Sequence, residues 1–537
     1  MKIFFMKKWT IILQMSAENS LYLDMIEGFN TIGNCEISKD IHFIILFDGI
    51  KNDLEPREEK QYPSVYEMKK GLKYSTAKPD KNFGKDFEDL TNKENLTEIL
   101  KYIKTKFDAE NYAYIYSGHG SAGEGDICNG QFHTAIDRIL PGERDEHGDV
   151  KEKVLEKRLT IRGWNYDGYC ELKENKDIIL VIYSRDTKTL TYKGLNKILY
   201  NVFKNEEKLA FIFLDTCWGM MIENCYTFKD VTDFFVATAD EMPSTGVGYD
   251  ALLNLLNKRP EIKPGELSKL LVAVNYSSNY ADYASGREDF NKMGISLTCT
   301  DTTELDNLIL NYFDPFCEHL RVNMRKLYII FKKAAEQCKD YTYEDYSKPD
   351  HEDYGVYNID LIWFLENILH FNMPGGKVID KDLQILTHKL IQQVSLYLFK
   401  GVMSNNYEEA VLGGDPVIGG KGIAITLPKN ADQLDNSMYK PEEPGEIPKF
   451  VTATAWKKML ERYMAHIKDL KIRTETAGFI TGDWESLKEN KNFSTLFNFD
   501  KSAGAAEKLS QFQSFLSTAD SFKLDQKWGQ LKKPDND

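Results

Sequence analysis

The chain of 537 residues has little that would place it in a membrane, on a nucleic acid or around a metal. No apolar run approaches the roughly 18 residues that a membrane-crossing helix needs. Its 68 basic residues are outnumbered by 83 acidic ones, a net charge of −15, which argues against a surface evolved to hold nucleic acid or anionic lipid. The same field weakly favours a basic substrate. None of the eight cysteines, Cys35, Cys128, Cys170, Cys217, Cys225, Cys299, Cys317 and Cys338, stands in a CxxC pair. That spacing suggests neither a zinc site nor a disulfide scaffold, and the cysteines read as free thiols of a reducing compartment. Prolines are few, at 16, and 42% of residues are apolar, a composition that folds rather than stays disordered.

The start, "MKIFFMKKWTIILQMSAENS", carries early lysines and an apolar run from Trp9 to Met15. The run is short and no clear small-residue cleavage site follows, so it reads as a buried first strand rather than a signal peptide. From this the protein is expected in the cytoplasm, with secretion left open.

Up to about residue 300, short apolar runs alternate with helical patterns. The runs are 9–15, 42–49, 112–118, 209–215, 233–239 and 294–300, with helices such as 91–107 and 194–204 between them. Continuous β-rich runs of this kind predict a mainly parallel sheet covered on both faces, an α/β fold. The expected organisation is a catalytic region over 1–300, with a charged, glycine-containing insert at 121–178. A C-terminal α+β extension over 301–466 and a helical tail over 467–537 follow. Within the extension, 305–340 and 357–404 read as helical, 422–428 as a strand and 455–466 as a helix.

Two strand ends carry the chemistry. "YAYIYSGHG" delivers His119 between two glycines, and "FIFLDTCWG" delivers Asp215 and Cys217. A cysteine becomes a nucleophile when a nearby imidazole or positive group favours its thiolate, and adjacent strand ends can hold the two rigidly. The N–H groups of Gly120 and Cys217 are candidate donors to an oxyanion. Glycine is expected at 120 because a side chain there would crowd the substrate carbonyl. A lone cysteine or histidine in such positions is ordinarily structural, so it is the conjunction that points to a Cys-His dyad.

These two segments resemble the signatures of the caspase-like cysteine peptidases of clan CD, and the fuller likeness is to the clostripain family. "KKWTIILQMSAENSL", "GWNYD" (163–167), the long stretch from "DTCWGMMIE" to "GVGYDALL", the "GIAITLP" strand and the "AWKKML" helix all look like members of that family. The resemblance runs over about residues 7–466. It implies a caspase-haemoglobinase-like sheet sandwiched by helices, and a peptidase that cuts peptide or protein substrates after Arg or Lys. By the same resemblance Cys217 is the nucleophile and His119 the proton donor to the leaving amine. Asp215 would line the primary specificity pocket. A second pocket acid has no obvious counterpart, since Ser244 and Thr245 stand where it would lie, with Asp240 and Glu241 close by.

The resemblance also implies a zymogen that cuts itself between the His and Cys segments, where Lys153, Lys157, Arg158 and Arg162 are candidate sites. The chemistry requires no cofactor, and Ca2+ enters by family resemblance alone. The expected enzyme is a monomer without nucleic-acid or membrane partners. Two rival readings stand beside it: a regulatory caspase-like peptidase with one dedicated protein substrate, and a catalytically idle scaffold of the same fold.

Overall fold

The apolar start of the chain forms an interior strand of a nine-stranded sheet in the computed structural model. The structure describes residues 6–17, 21–49, 62–87, 90–120, 190–204, 208–240, 242, 246–284, 296–338, 341, 358–402, 420–428, 430–439 and 448–480, together with strand segments at 126–128, 135–138, 166–174 and 177–184. The chain divides into two compact units, Met1–Arg462 and Tyr463–Asp537. The second is described only in the closing turns of the helix Trp456–Ile480.

The strands of the large sheet are β1 (Lys7–Ala17), β2 (Ile41–Gly49), β3 (Ser64–Glu67), β4 (Lys81–Asn82), β5 (Ala109–Ser117), β6 (Phe211–Asp215), β7 (Phe234–Thr238), β8 (Ser296–Asp301) and β9 (Leu398–Val402). Across the sheet they run β9-β8-β7-β6-β5-β1-β2-β3-β4. The five strands from β7 to β2 are parallel, and antiparallel strands finish both edges. Central parallel strands are covered on both faces, which is why β1 is buried from Trp9 to Ala17, its polar Thr10, Gln14 and Ser16 included.

One face packs Trp9, Ile11, Leu13 and Met15 of β1 into a core with Met25, Phe29 and Ile32 of α1 (Tyr22–Asn34). Leu252, Leu253 and Leu256 of the helix Tyr249–Lys258, and Leu267 and Leu271 of Pro264–Ala284, complete that layer. The other face is covered by α2 (Lys93–Lys106) and α3 (Tyr192–Phe203). Phe203 lies against Tyr112 of β5, and the Phe107 carbonyl just beyond α2 accepts from Thr10 at 2.6 Å. Gln14, wholly buried in β1, is satisfied across the sheet by the Tyr114 hydroxyl at 2.7 Å.

Most expected elements are present with shifted ends, and two readings need correction. The pattern at 357–404 is not helical throughout. After the helices Leu361–Phe371 and Lys381–Tyr397, residues Leu398–Val402 turn into β9 and pair with β8. An apolar run this short does not declare its period, and tertiary pairing decided it. The insert at 121–178, to which the sequence reading assigned no strand, contributes strands. Ala135–Arg138, Asp177–Ser184 and Tyr166–Glu174 form a three-stranded antiparallel sheet, and Asp126–Cys128 joins another small sheet beside the site. The strands β3 and β4 were not anticipated at all.

Candidate active site

In the parallel register, Met15, Ser117 and Asp215 stand in one row across β1, β5 and β6. His119 and Cys217 each follow two residues beyond that row, at the carboxyl ends of neighbouring strands. Side chains aimed from such ends converge on one crevice.

The two turns touch through glycine. A Cβ on Gly120 would lie 2.5 Å from the carbonyl oxygen of Cys217 and 2.9 Å from Thr216 Oγ1. The sequence reading placed glycine here for the sake of the substrate carbonyl. The structure gives another reason, because the histidine turn presses directly on the peptide of Cys217. The Gly118 N–H adds a bond to the Asp215 carbonyl at 3.3 Å. His119 and Gly120 also pair with Cys128 and Ile127, and that strand pairs in turn with Leu190 and Thr191. Thr191 caps the start of α3 through the Gly194 N–H at 2.9 Å, which ties the histidine strand to a helix. Burial pushes the His119 imidazole below its ordinary pKa, favouring the neutral ring.

Cys217 sits half-buried on a turn that the next strand and its loop hold from behind. The Trp218 N–H donates to Asp240 O at 2.9 Å and the Met220 N–H to Thr238 O at 2.7 Å. Trp218 takes φ 52°, and among the described residues no other non-glycine has a positive φ. A bulky residue there is strained by about 1–3 kcal/mol, and such strain persists only where the surroundings over-determine it. The Met242 N–H donates to Cys217 Sγ at 3.3 Å, and the thiol lies 3.8 Å from the carbonyl oxygen of the same residue. Sequence reasoning missed this donor, since a backbone N–H leaves no mark in residue type. Asp240 serves the turn through its carbonyl, while its side chain bears electrostatically on Tyr341. Thr245, Glu241, Ser244 and all four candidate self-cleavage sites, Lys153, Lys157, Arg158 and Arg162, lie outside the described residues.

Asp215 ends β6 with only 3% of its surface exposed. Its Oδ2 accepts from Ser117 Oγ at 3.0 Å and from the Tyr249 hydroxyl, while Oδ1 is buried with no hydrogen-bond partner. Burial pushes its pKa up to about 6, against the pull of Tyr249, Ser117 and the Val247 N–H. Neither Ser117 nor Tyr249 was singled out in the sequence. Their signal was faint, a serine ending one strand and a tyrosine opening a helix.

Beyond the nucleophile, α4 (Ile222–Phe228) carries a second buried carboxylate, Glu223. Its Oε1 accepts from the Thr426 N–H at 3.0 Å and from the Tyr439 hydroxyl. The Ala424 N–H meets Met220 O at 2.9 Å, and Trp456 Nε1 meets Thr426 O at 3.1 Å. The expected strand at 422–428, observed at Ala424–Thr426, therefore braces the segment that follows Cys217. As for Ca2+, no group of three or more His, Cys, Asp or Glu side chains among the described residues could hold a metal ion, and no chemistry is routed through one.

The model of the clostripain family matches residues 163–463. The chain belongs to that family. The match spans Asp215, Cys217, Glu223 and the bracing strand but begins after His119, whose place rests on the sheet geometry above. No curated protein matches the sequence. A secreted C11 cysteine protease from Bacteroides thetaiotaomicron, solved with an irreversible peptide inhibitor, shares the fold. The two superpose with TM-score 0.51 at 14% identity, over 84% of this chain and 99% of that one. An inactive zymogen of a C11 protease from Parabacteroides distasonis gives TM-score 0.49 at 14% identity, over 85% and 99%.

The clostripain-family chain is thus a cysteine peptidase with the caspase-like sheet, and its substrates are peptides or proteins. The cytoplasmic expectation is overturned by the same comparison, because the enzyme whose fold it shares is secreted. Unpaired thiols and a buried first strand, on which that expectation stood, do not fix a compartment. No described helix is long and apolar enough to cross a membrane.

Proposed function

We propose that this clostripain-family peptidase cleaves after Arg or Lys through a Cys217–His119 dyad. The observation that carries the reading is Asp215 Oδ1, a buried carboxylate oxygen without a partner two residues before the nucleophile. A buried charge without a partner is costly, and an incoming ammonium or guanidinium supplies one.

In this reading Cys217 Sγ attacks the scissile carbonyl carbon, and the Gly120 and Cys217 N–H groups receive the oxyanion. The thiol proton passes to the neutral imidazole of His119, which gives it to the leaving amine as the C–N bond breaks; water then hydrolyses the thioester, releasing the carboxylic acid and restoring the thiol. The enzyme works as a monomer without a cofactor, and it activates itself by a cut between the His119 and Cys217 segments.

Replacing Cys217 by Ala is expected to lower turnover of a lysyl or arginyl amide at least roughly 10^3-fold with the fold intact. Intact-mass measurement of the wild type beside Cys217→Ala then reports self-cleavage, expected as fragments in the wild type alone. Unchanged turnover in the mutant would end the dyad reading.

A further inference from the structure

The carboxylate of Asp215 is not symmetric in its surroundings. Oδ2 receives two hydroxyl donors, Ser117 Oγ at 3.0 Å and the Tyr249 hydroxyl. It is also the oxygen over which the backbone closes. Gly246 adopts φ 63°, and a Cβ built there would lie 2.5 Å from Oδ2 but 3.2 Å from Oδ1. By distance and angle Oδ1 is left as the buried acceptor without a hydrogen bond, and the Val247 N–H adds a further pull on the carboxylate. An arginine fork gains its advantage by bonding both oxygens of a carboxylate in parallel, whereas a lysine ammonium is a point charge that needs only one.

We propose that Ser117 and Tyr249 are specificity-determining residues: by saturating Asp215 Oδ2 they make the pocket a one-oxygen acceptor that favours a P1 lysine over arginine. The inference rests on the basic-residue reading above and goes beyond it by ranking the two side chains. Ser117 and Tyr249 act through Asp215 and are positioning residues. Gly246 belongs to the same device, since its left-handed backbone is what lets the chain pass so close to the carboxylate.

The test is a matched pair of peptide amides that differ only in P1, lysine or arginine, beside a third with a neutral P1. In the wild type kcat/KM for lysine is expected to lead by roughly tenfold, the worth of one charge-assisted hydrogen bond denied to the fork. Tyr249→Phe frees a lone pair on Oδ2, and the ratio is expected to move toward arginine, chiefly through KM. Ser117→Ala, a smaller change, moves it the same way and stands in should the first variant not fold.

The pH profile supplies a readout that a merely structural role would not move. Tyr249 is the titratable group in contact with Asp215, and no charged side chain among the described residues shifts it. Since the Tyr249 hydrogen bond favours the ionised carboxylate, its loss moves the acid limb of kcat/KM for basic substrates to higher pH. Equal use of lysine and arginine by the wild type, a lead for arginine, or a ratio unchanged in both variants overturns the proposal and leaves the basic-residue reading standing. Turnover of the neutral substrate with none of either basic one overturns both.

Discussion

Two buried carboxylates flank Cys217, the proposed nucleophile, Asp215 just before it and Glu223 beyond it, and they sit in different surroundings. Each is 3% exposed, each accepts a tyrosine hydroxyl, and each has one oxygen without a partner. Burial raises both, Asp215 to about 6 and Glu223 to about 7. The difference lies in what surrounds them. Asp215 closes a parallel strand at the carboxyl end of the sheet, where His119 and Gly120 also arrive, and in the proposed reading its unpartnered oxygen receives the substrate cation. Glu223 lies in α4 and joins the nucleophile segment to Thr426 and Tyr439. Burial is common to the two carboxylates, and position at a strand end is what distinguishes Asp215.

The sharpest test of that contrast is selective. Asp215→Asn keeps the shape and removes the charge. It is expected to cost roughly a hundred- to thousandfold in kcat/KM on basic substrates, the range for a buried pair deprived of one partner, with little loss on a neutral one. Equal loss across all substrates would make Asp215 a structural residue like Glu223 and dissolve the comparison.

A smaller effect is expected at the contact between the two turns. Gly120→Ala forces a methyl to within 2.5 Å of the Cys217 carbonyl, a backbone atom that cannot swing away. The nucleophile and imidazole must separate, and kcat should fall roughly tenfold or more. A variant with wild-type kcat would mean that the turns are not held in register by that glycine.

The smallest effect concerns stability. A carboxyl group whose folded pKa is raised stabilises the fold fully below its unfolded value, here 4.5, and that contribution is lost as pH rises through about 7. For Glu223 the span is on the order of 3 kcal/mol. Glu223→Gln, whose amide oxygen still accepts from Tyr439 and Thr426, is expected to flatten the fall of melting temperature across that window. It should leave the choice among substrates untouched. A change in substrate choice would place Glu223 in the pocket with Asp215.

Much of this site was legible before any coordinates. "YIYSGHG" and "FIFLD" are apolar runs that can only be buried strands, and each ends in residues with chemistry. What could not be read was the set of donors that tune them. Ser117, Tyr249 and the Met242 N–H come from three separate stretches and meet at Asp215 and Cys217 only because β5, β6 and β7 lie side by side. The strand at Leu398–Val402 was misread for a related reason, since a few residues have no periodicity of their own and pairing with a distant strand decides them.

The sequence by itself determined the parallel α/β core, because runs as continuously apolar as Phe211 to Leu214 of β6 are stable only with both faces covered. It also singled out Cys217 and His119 as a candidate dyad by residue type at strand ends, while the pocket role of Asp215 came from the resemblance to the clostripain family. Only the tertiary structure decided that the two turns press on each other through Gly120 and that Asp215 keeps one oxygen bare. Hydrogen bonds and close contacts between segments far apart in the chain depend on register across the sheet, and register is a property of the fold.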